Sequence, residues 1–304
     1  MKKAIIHIGC EKTGSTSIQN FLSKHRGDLL KDHGILFPRS LGRANHTKFA
    51  IYACDESRNL TRFLKEDQTL ASFRESLKDD FLKEIRSCSW SVLIISAEWL
   101  HPRIRSPAEF FRIKVLLEEI VDDIEILMYI RSQDEMAVSL YSTSVKAGNY
   151  DSFKFPSIVG TNLPYYYDFL SIYKNWKAYF GVGNVKVKVF NQFHMRDGDV
   201  VKDFLTYLSI DFGPVAKATM DNKSLSEEGL ILLRSFNFWL EKSHNDVSED
   251  VKVKIKKQIS DSFRGKCELA TDYERKEFYN VFLSSNNNLI LEFEKDTGIL
   301  LSGF

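Results

Sequence analysis

Residues 9–17, Gly-Cys-Glu-Lys-Thr-Gly-Ser-Thr-Ser, place two glycines five positions apart around a lysine and follow them with hydroxyl side chains. That composition suits an anion: glycine lets backbone N–H groups turn inward, and hydroxyls and an ammonium add donors. The Gly9-x-x-x-x-Gly14 frame is that of a nucleotide phosphate loop, but the lysine expected after the second glycine is absent. Ser15 stands there, and the lysine comes three positions earlier, as Lys12. The backbone N–H groups of residues 13–17, the hydroxyls of Ser15, Thr16 and Ser17 and the dipole of a following helix can still cradle a 5′-phosphate, with Lys12 at the loop's leading edge. A nucleotide hydrolase also needs magnesium, held by a loop hydroxyl and an acid at the end of a neighbouring strand. Glu98 follows one strand run, yet no aspartate directly ends either neighbouring run, so no metal is expected.

These groups need a scaffold. Four β-rich runs, 4–9, 91–96, 125–130 and 184–190, are separated by helical patterns such as 70–85 and 106–120, where Ser106 and Pro107 suit a helix start. The first three runs are nearly continuous in apolar residues, as strands covered on both faces are. The expectation is an α/β fold: a P-loop-like, three-layer arrangement with a central, mostly parallel sheet flanked by helices. Beyond about residue 215 only helical patterns remain, giving a single domain with an α/β core over 1–214 and a helical part over 215–304. Arg131 then lies at the carboxyl end of a strand, where open α/β sheets bind ligands, and a guanidinium is the side chain best shaped to grip a phosphate.

Lys12-Thr13-Gly14-Ser15-Thr16-Ser17 resembles the phosphosulfate loop of sulfotransferases that use 3′-phosphoadenosine 5′-phosphosulfate (PAPS), particularly their bacterial and carbohydrate-modifying branches. The family's second motif, a strand-terminal arginine with a serine eight positions later, is matched by Arg131 and Ser139. Looser similarity runs through 165–190 and 222–237, and Phe263-Arg264-Gly265-Lys266 is a faint counterpart of the arginine-glycine loop. The resemblance implies PAPS as donor and in-line transfer of a sulfuryl group to the hydroxyl of a small-molecule or glycan acceptor. It also implies Lys12 at the leaving oxygen, and Thr13 to Ser17 with Arg131 and Ser139 on the nucleotide. The acceptor's proton needs a base. Glu98 shares the sheet edge with Lys12 and Arg131; His46, in a polar stretch and with a better-matched ordinary pKa, competes for the role. The aromatic stretch 164–170 suits either sugar stacking or the core, and His7 is expected to be a satisfied core residue.

With 42 Lys+Arg against 41 Asp+Glu the net charge is +1, so nothing global attracts nucleic acid. Cys10, Cys54, Cys88 and Cys267 show neither zinc nor disulfide spacing. The apolar run after Met1 is too short for a signal peptide, and none reaches the roughly 18 residues of a membrane helix. The expected setting is therefore cytoplasmic, without an integral membrane segment. Two other readings fit the loop: a magnesium-dependent small-molecule kinase, and a catalytically silent nucleotide-binding protein.

Overall fold

A computed structural model describes residues 1–58, 60, 63–158, 163–212, 225–242, 247–265 and 267–304. In chain order the elements are β1 (Lys3–His7), α1 (Ser15–Lys24), α2 (Arg26–His33), β2 (Ile35–Leu36), α3 (Thr47–Ala53), α4 (Leu70–Arg86), β3 (Val92–Ser96), α5 (Leu100–Arg103) and α6 (Pro107–Glu118). There follow β4 (Asp123–Ile130), α7 (Gln133–Lys146), α8 (Phe169–Phe180), β5 (Val185–Val189), α9 (Val200–Tyr207), α10 (Glu227–Lys242), α11 (Glu249–Ser262), α12 (Asp272–Asn280) and α13 (Leu283–Thr297).

The chain divides into two compact units, 1–131 with 164–218 and 285–304, and 132–163 with 219–284. The division does not follow chain order: 132–163 joins the later helices, and the last segment returns to the first unit. The 214/215 boundary expected from sequence, residues 222–224 and Lys266 lie outside the described residues.

The first unit is built on a five-stranded parallel sheet, ordered β2-β3-β1-β4-β5. β1 is central, with Ala4 and Ile6 fully buried, and pairs His7 with Ser96 of β3 and with Leu127 of β4. Because every strand runs the same way, the segments after β1, β3 and β4 leave along one edge. One face packs Ile5, Ile94 and Tyr129 against Ile18 and Leu22 of α1 and Val201 and Phe204 of α9. On α6 and α8, Phe110 meets Trp176 edge-on, with ring centroids 5.1 Å apart. Helix plus sheet plus helix gives the expected three layers. Ser106 caps α6 in a reciprocal capping box with Glu109 and Pro107 follows, so the local start signal is realised. Lys177 of α8 bonds the carboxylates of Glu292 and Asp296, tying α13 into this unit.

In the second unit, Val145 of α7 clusters with Leu225, with Leu230 and Leu233 of α10 and with Ile259 of α11. The Asn237 amide donates to the carbonyls of Val145 (2.7 Å) and Asn149 (2.9 Å), satisfying acceptors at the end of α7. Arg275 of α12 pairs with Asp134 at 3.2 Å. Among the described residues no helix is long and apolar enough to cross a membrane.

Candidate functional site

The residues singled out by sequence in the first unit gather where β1, β3 and β4 end. After β1 the chain turns through Gly9 (φ 46°) and Lys12 (φ 69°) to Gly14 (φ 77°), which opens α1 in the left-handed conformation. Gly14 has no alternative: a Cβ there would lie 2.9 Å from both Phe190 and Val200. Ser17 and Ile18 donate to the Gly14 carbonyl, while the first-turn N–H groups of Ser15 and Thr16 have no acceptor within the helix. Thr13 is fully buried, its hydroxyl donating to the Cys10 carbonyl at 2.5 Å, so it braces the loop from inside. Ser15 is 2% exposed, and its Oγ, folded under Gly9, has no hydrogen-bond partner among the described residues. A buried hydroxyl without a partner is costly in the folded chain and fits an anion held in the loop.

Lys12 is the conspicuous backbone feature, since a lysine in the left-handed region is strained. Its carbonyl accepts from Arg131 Nη1 at 3.2 Å. The same guanidinium lies over Phe190, the residue that also crowds Gly14. Asp134 accepts from Arg275 of α12 at 3.2 Å within the second unit. Ser139 is half-buried on α7 in the second unit, where its carbonyl accepts from the Thr143 hydroxyl.

Glu98 sits in the turn after β3, its Cα 3.5 Å from the position of a Cβ on Gly9, so this turn and the loop are in contact. Burial raises its carboxyl above the ordinary glutamate range, the Glu11 charge adds to that, and Lys12 opposes both. Arg103 lies over the Trp99 ring at 3.8 Å and faces Glu11 at 4.0 Å.

His46 takes a different part from the one its polar sequence context suggests. It is fully buried, with its ring 4.2 Å from that of Phe37. Nδ1 accepts from Ser96 N–H (3.2 Å), so Nε2 carries the proton and donates to the Pro38 carbonyl (2.9 Å). Both nitrogens are used, and burial lowers the pKa to about 3. No lone pair remains to take a proton from an acceptor; His46 fastens the segment after β2 to the end of β3.

No family model matches the chain. An uncharacterized protein of Archaeoglobus fulgidus is 28% identical over 171 residues, 56% of this chain and 45% of that protein, so the match spans less than half of that protein's length. Among solved structures, a sulfotransferase from Alicyclobacillus acidocaldarius is similar with a TM-score of 0.44 and 16% identity, covering 81% of this chain and 98% of its own. A sulfotransferase domain from the curacin biosynthetic pathway gives a TM-score of 0.36 and 10% identity, covering 93% and 97% respectively.

Several site neighbours carry no sequence signal of their own. Tyr166 donates to Glu11 Oε2 at 2.7 Å across 155 positions. Its ring meets fully buried His101 edge-on, and Tyr165 donates to the Ile104 carbonyl, so the 164–170 stretch is tied to the segment after β3. Beneath the loop His7 Nδ1 bonds Ser96 Oγ at 2.8 Å, which also accepts from Gln19 of α1 at 3.1 Å, while His7 Nε2 has no partner among the described residues. His7 is therefore a core residue, though only half satisfied. Among the described residues no group of His, Cys, Asp and Glu could hold a metal ion.

Proposed function

We propose that the protein is a sulfotransferase that moves a sulfuryl group from PAPS to a hydroxyl of a saccharide or glycolipid precursor. The observation that carries this is the loop itself, with Lys12 ahead of Gly14 in a left-handed turn, braced by Arg131 and followed by the buried Ser15 hydroxyl, unpartnered among the described residues.

Ser15, Thr16, Ser17 and the first-turn N–H groups of α1 would hold the 5′ end of the donor, and Arg131 the 3′-phosphate, with Ser139 in the same sequence motif. PAPS supplies the activated sulfuryl group. The bond from sulfur to the bridging phosphate oxygen breaks as the bond to the acceptor oxygen forms. Lys12 neutralises charge building on the bridging oxygen, which is the larger part of what a protein contributes to such a transfer. Glu98 takes the acceptor's proton; its raised pKa makes it a stronger base than an ordinary exposed glutamate. The reaction so described uses no metal, and the acceptor class rests on sequence resemblance.

Thermal unfolding tests the donor class. Saturating adenosine 3′,5′-bisphosphate without metal should raise Tm by several degrees, because a ligand at about 100 times its Kd stabilises by roughly 2.7 kcal/mol. A shift only with ADP and magnesium would replace this proposal with the kinase. A bisphosphate shift without PAPS turnover on any hydroxyl acceptor would leave the silent nucleotide-binding protein.

A further inference from the structure

Glu11 occupies a variable position of the loop frame, between Cys10 and Lys12, where nothing in phosphate binding calls for an acid. A carboxylate beside an anion site opposes the ligand's charge, so it needs another purpose. One side chain hydrogen-bonds it and another faces it as an ion pair. Tyr166 donates to Oε2 at 2.7 Å, and Arg103 at the end of α5 faces Oε1 at 4.0 Å. Both partners lead back to the turn after β3: Arg103 lies over Trp99, the residue next to Glu98, and the Tyr166 ring packs against His101, whose N–H donates to the Glu98 carbonyl. Gly9, two residues before Glu11, touches the same turn at the Glu98 Cα.

From this geometry we infer that Glu11 is a positioning residue of the proposed transfer site: its pinned carboxylate fixes the leading edge that carries Lys12 against the turn that carries Glu98, and sets the charge Glu98 faces. The inference rests on the sulfuryl-transfer proposal for its chemistry and on these contacts for its placement. The groups that act on Glu98 from the neighbouring loop are Glu11, which raises its pKa, and Lys12, which lowers it. Lys12 therefore works at the donor while Glu11 keeps Glu98 from becoming too weak a base beside that ammonium.

The test compares the full-length wild type with Glu11→Gln and Arg103→Gln in two readouts, the acid limb of the kcat/KM pH profile and the carbon NMR titration of the Glu98 carboxyl in the free protein. Glu11→Gln should move both to lower pH. Arg103→Gln, which leaves the Glu11 charge less compensated, should move both upward, so either variant suffices if the other fails to fold. A Glu98 titration unmoved by Glu11→Gln, or moved upward, overturns the inference, as does one unmoved by Arg103→Gln. That NMR readout needs no turnover. Failure of the wild type to bind bisphosphate would defeat the sulfuryl-transfer proposal separately.

Discussion

Arg131 donates through Nη1 to the backbone carbonyl of Lys12 at 3.2 Å, joining the end of β4 to the strained edge of the loop after β1. A guanidinium can hold that carbonyl and still present further N–H donors to a phosphate, which an ammonium of one-point geometry does poorly.

If Arg131 grips the 3′-phosphate, Arg131→Ala should weaken adenosine 3′,5′-bisphosphate binding by about 10- to 100-fold, the range for a lost hydrogen bond to a charged group, and change AMP binding far less. Calorimetric titration with both nucleotides decides it. An unchanged preference for the bisphosphate would remove Arg131 from the phosphate.

Lys12 acts in the proposal on charge that develops during transfer. Lys12→Ala should therefore lower kcat by about 100-fold or more while bisphosphate affinity falls by less than about tenfold. Equal losses in single-turnover rate and in affinity would make Lys12 a binding residue only.

Gly14 meets two demands at once, a φ of 77° and no space for a Cβ against Phe190 and Val200. Gly14→Ala should cost about 1–3 kcal/mol of stability from strain and overpacking, seen as a fall of several degrees in Tm. A Tm within about one degree of wild type would mean the contact relaxes freely.

Acid should destabilise the protein through its buried histidines. His7, His46 and His101 are lowered to about 3 by burial, whereas in the unfolded chain they protonate near 6.5. Between those values the unfolded state binds more protons, so stability falls as pH drops below 6.5 and keeps falling to about 3. Glu98 runs the other way: its folded pKa is raised, so its ionisation costs stability as pH rises. Denaturant midpoints at pH 7 and pH 5 should differ in favour of pH 7 for the wild type, and His101→Leu should narrow the gap. Glu98→Gln should abolish transfer with bisphosphate binding intact, and should gain stability at pH 7 but not below the ordinary glutamate value of 4.5.

The sheet and the loop were legible because their signals are local. Continuous apolar runs mark β1, β3 and β4, alternation marks β5, and the frame from Gly9 to Ser17 lies within one turn of chain. β2 leaves no sequence signal because it pairs only Ile35 and Leu36 before Phe37 and Pro38, too short for any period. His46 reads as a loop residue from its polar neighbours, but its burial is set by Phe37 and by Ser96, fifty positions away. Glu11 and Tyr166, or Lys177 and Glu292, meet across more than a hundred positions, and no local pattern records such a pairing.

The return of α13 to the first unit bears on how the protein is made. Tyr173 and Lys177 wait for Asp296 and Glu292, which leave the ribosome only after all of 219–284. At about 5–20 residues per second, that interval lasts several seconds, during which the buried face of α8 has no partner from the end of the chain. The sheet can pair early, but its last layer is fastened after the intervening unit has been synthesised, so a nascent chain stalled before residue 285 should expose the α8 surface to chaperones or to other copies of itself.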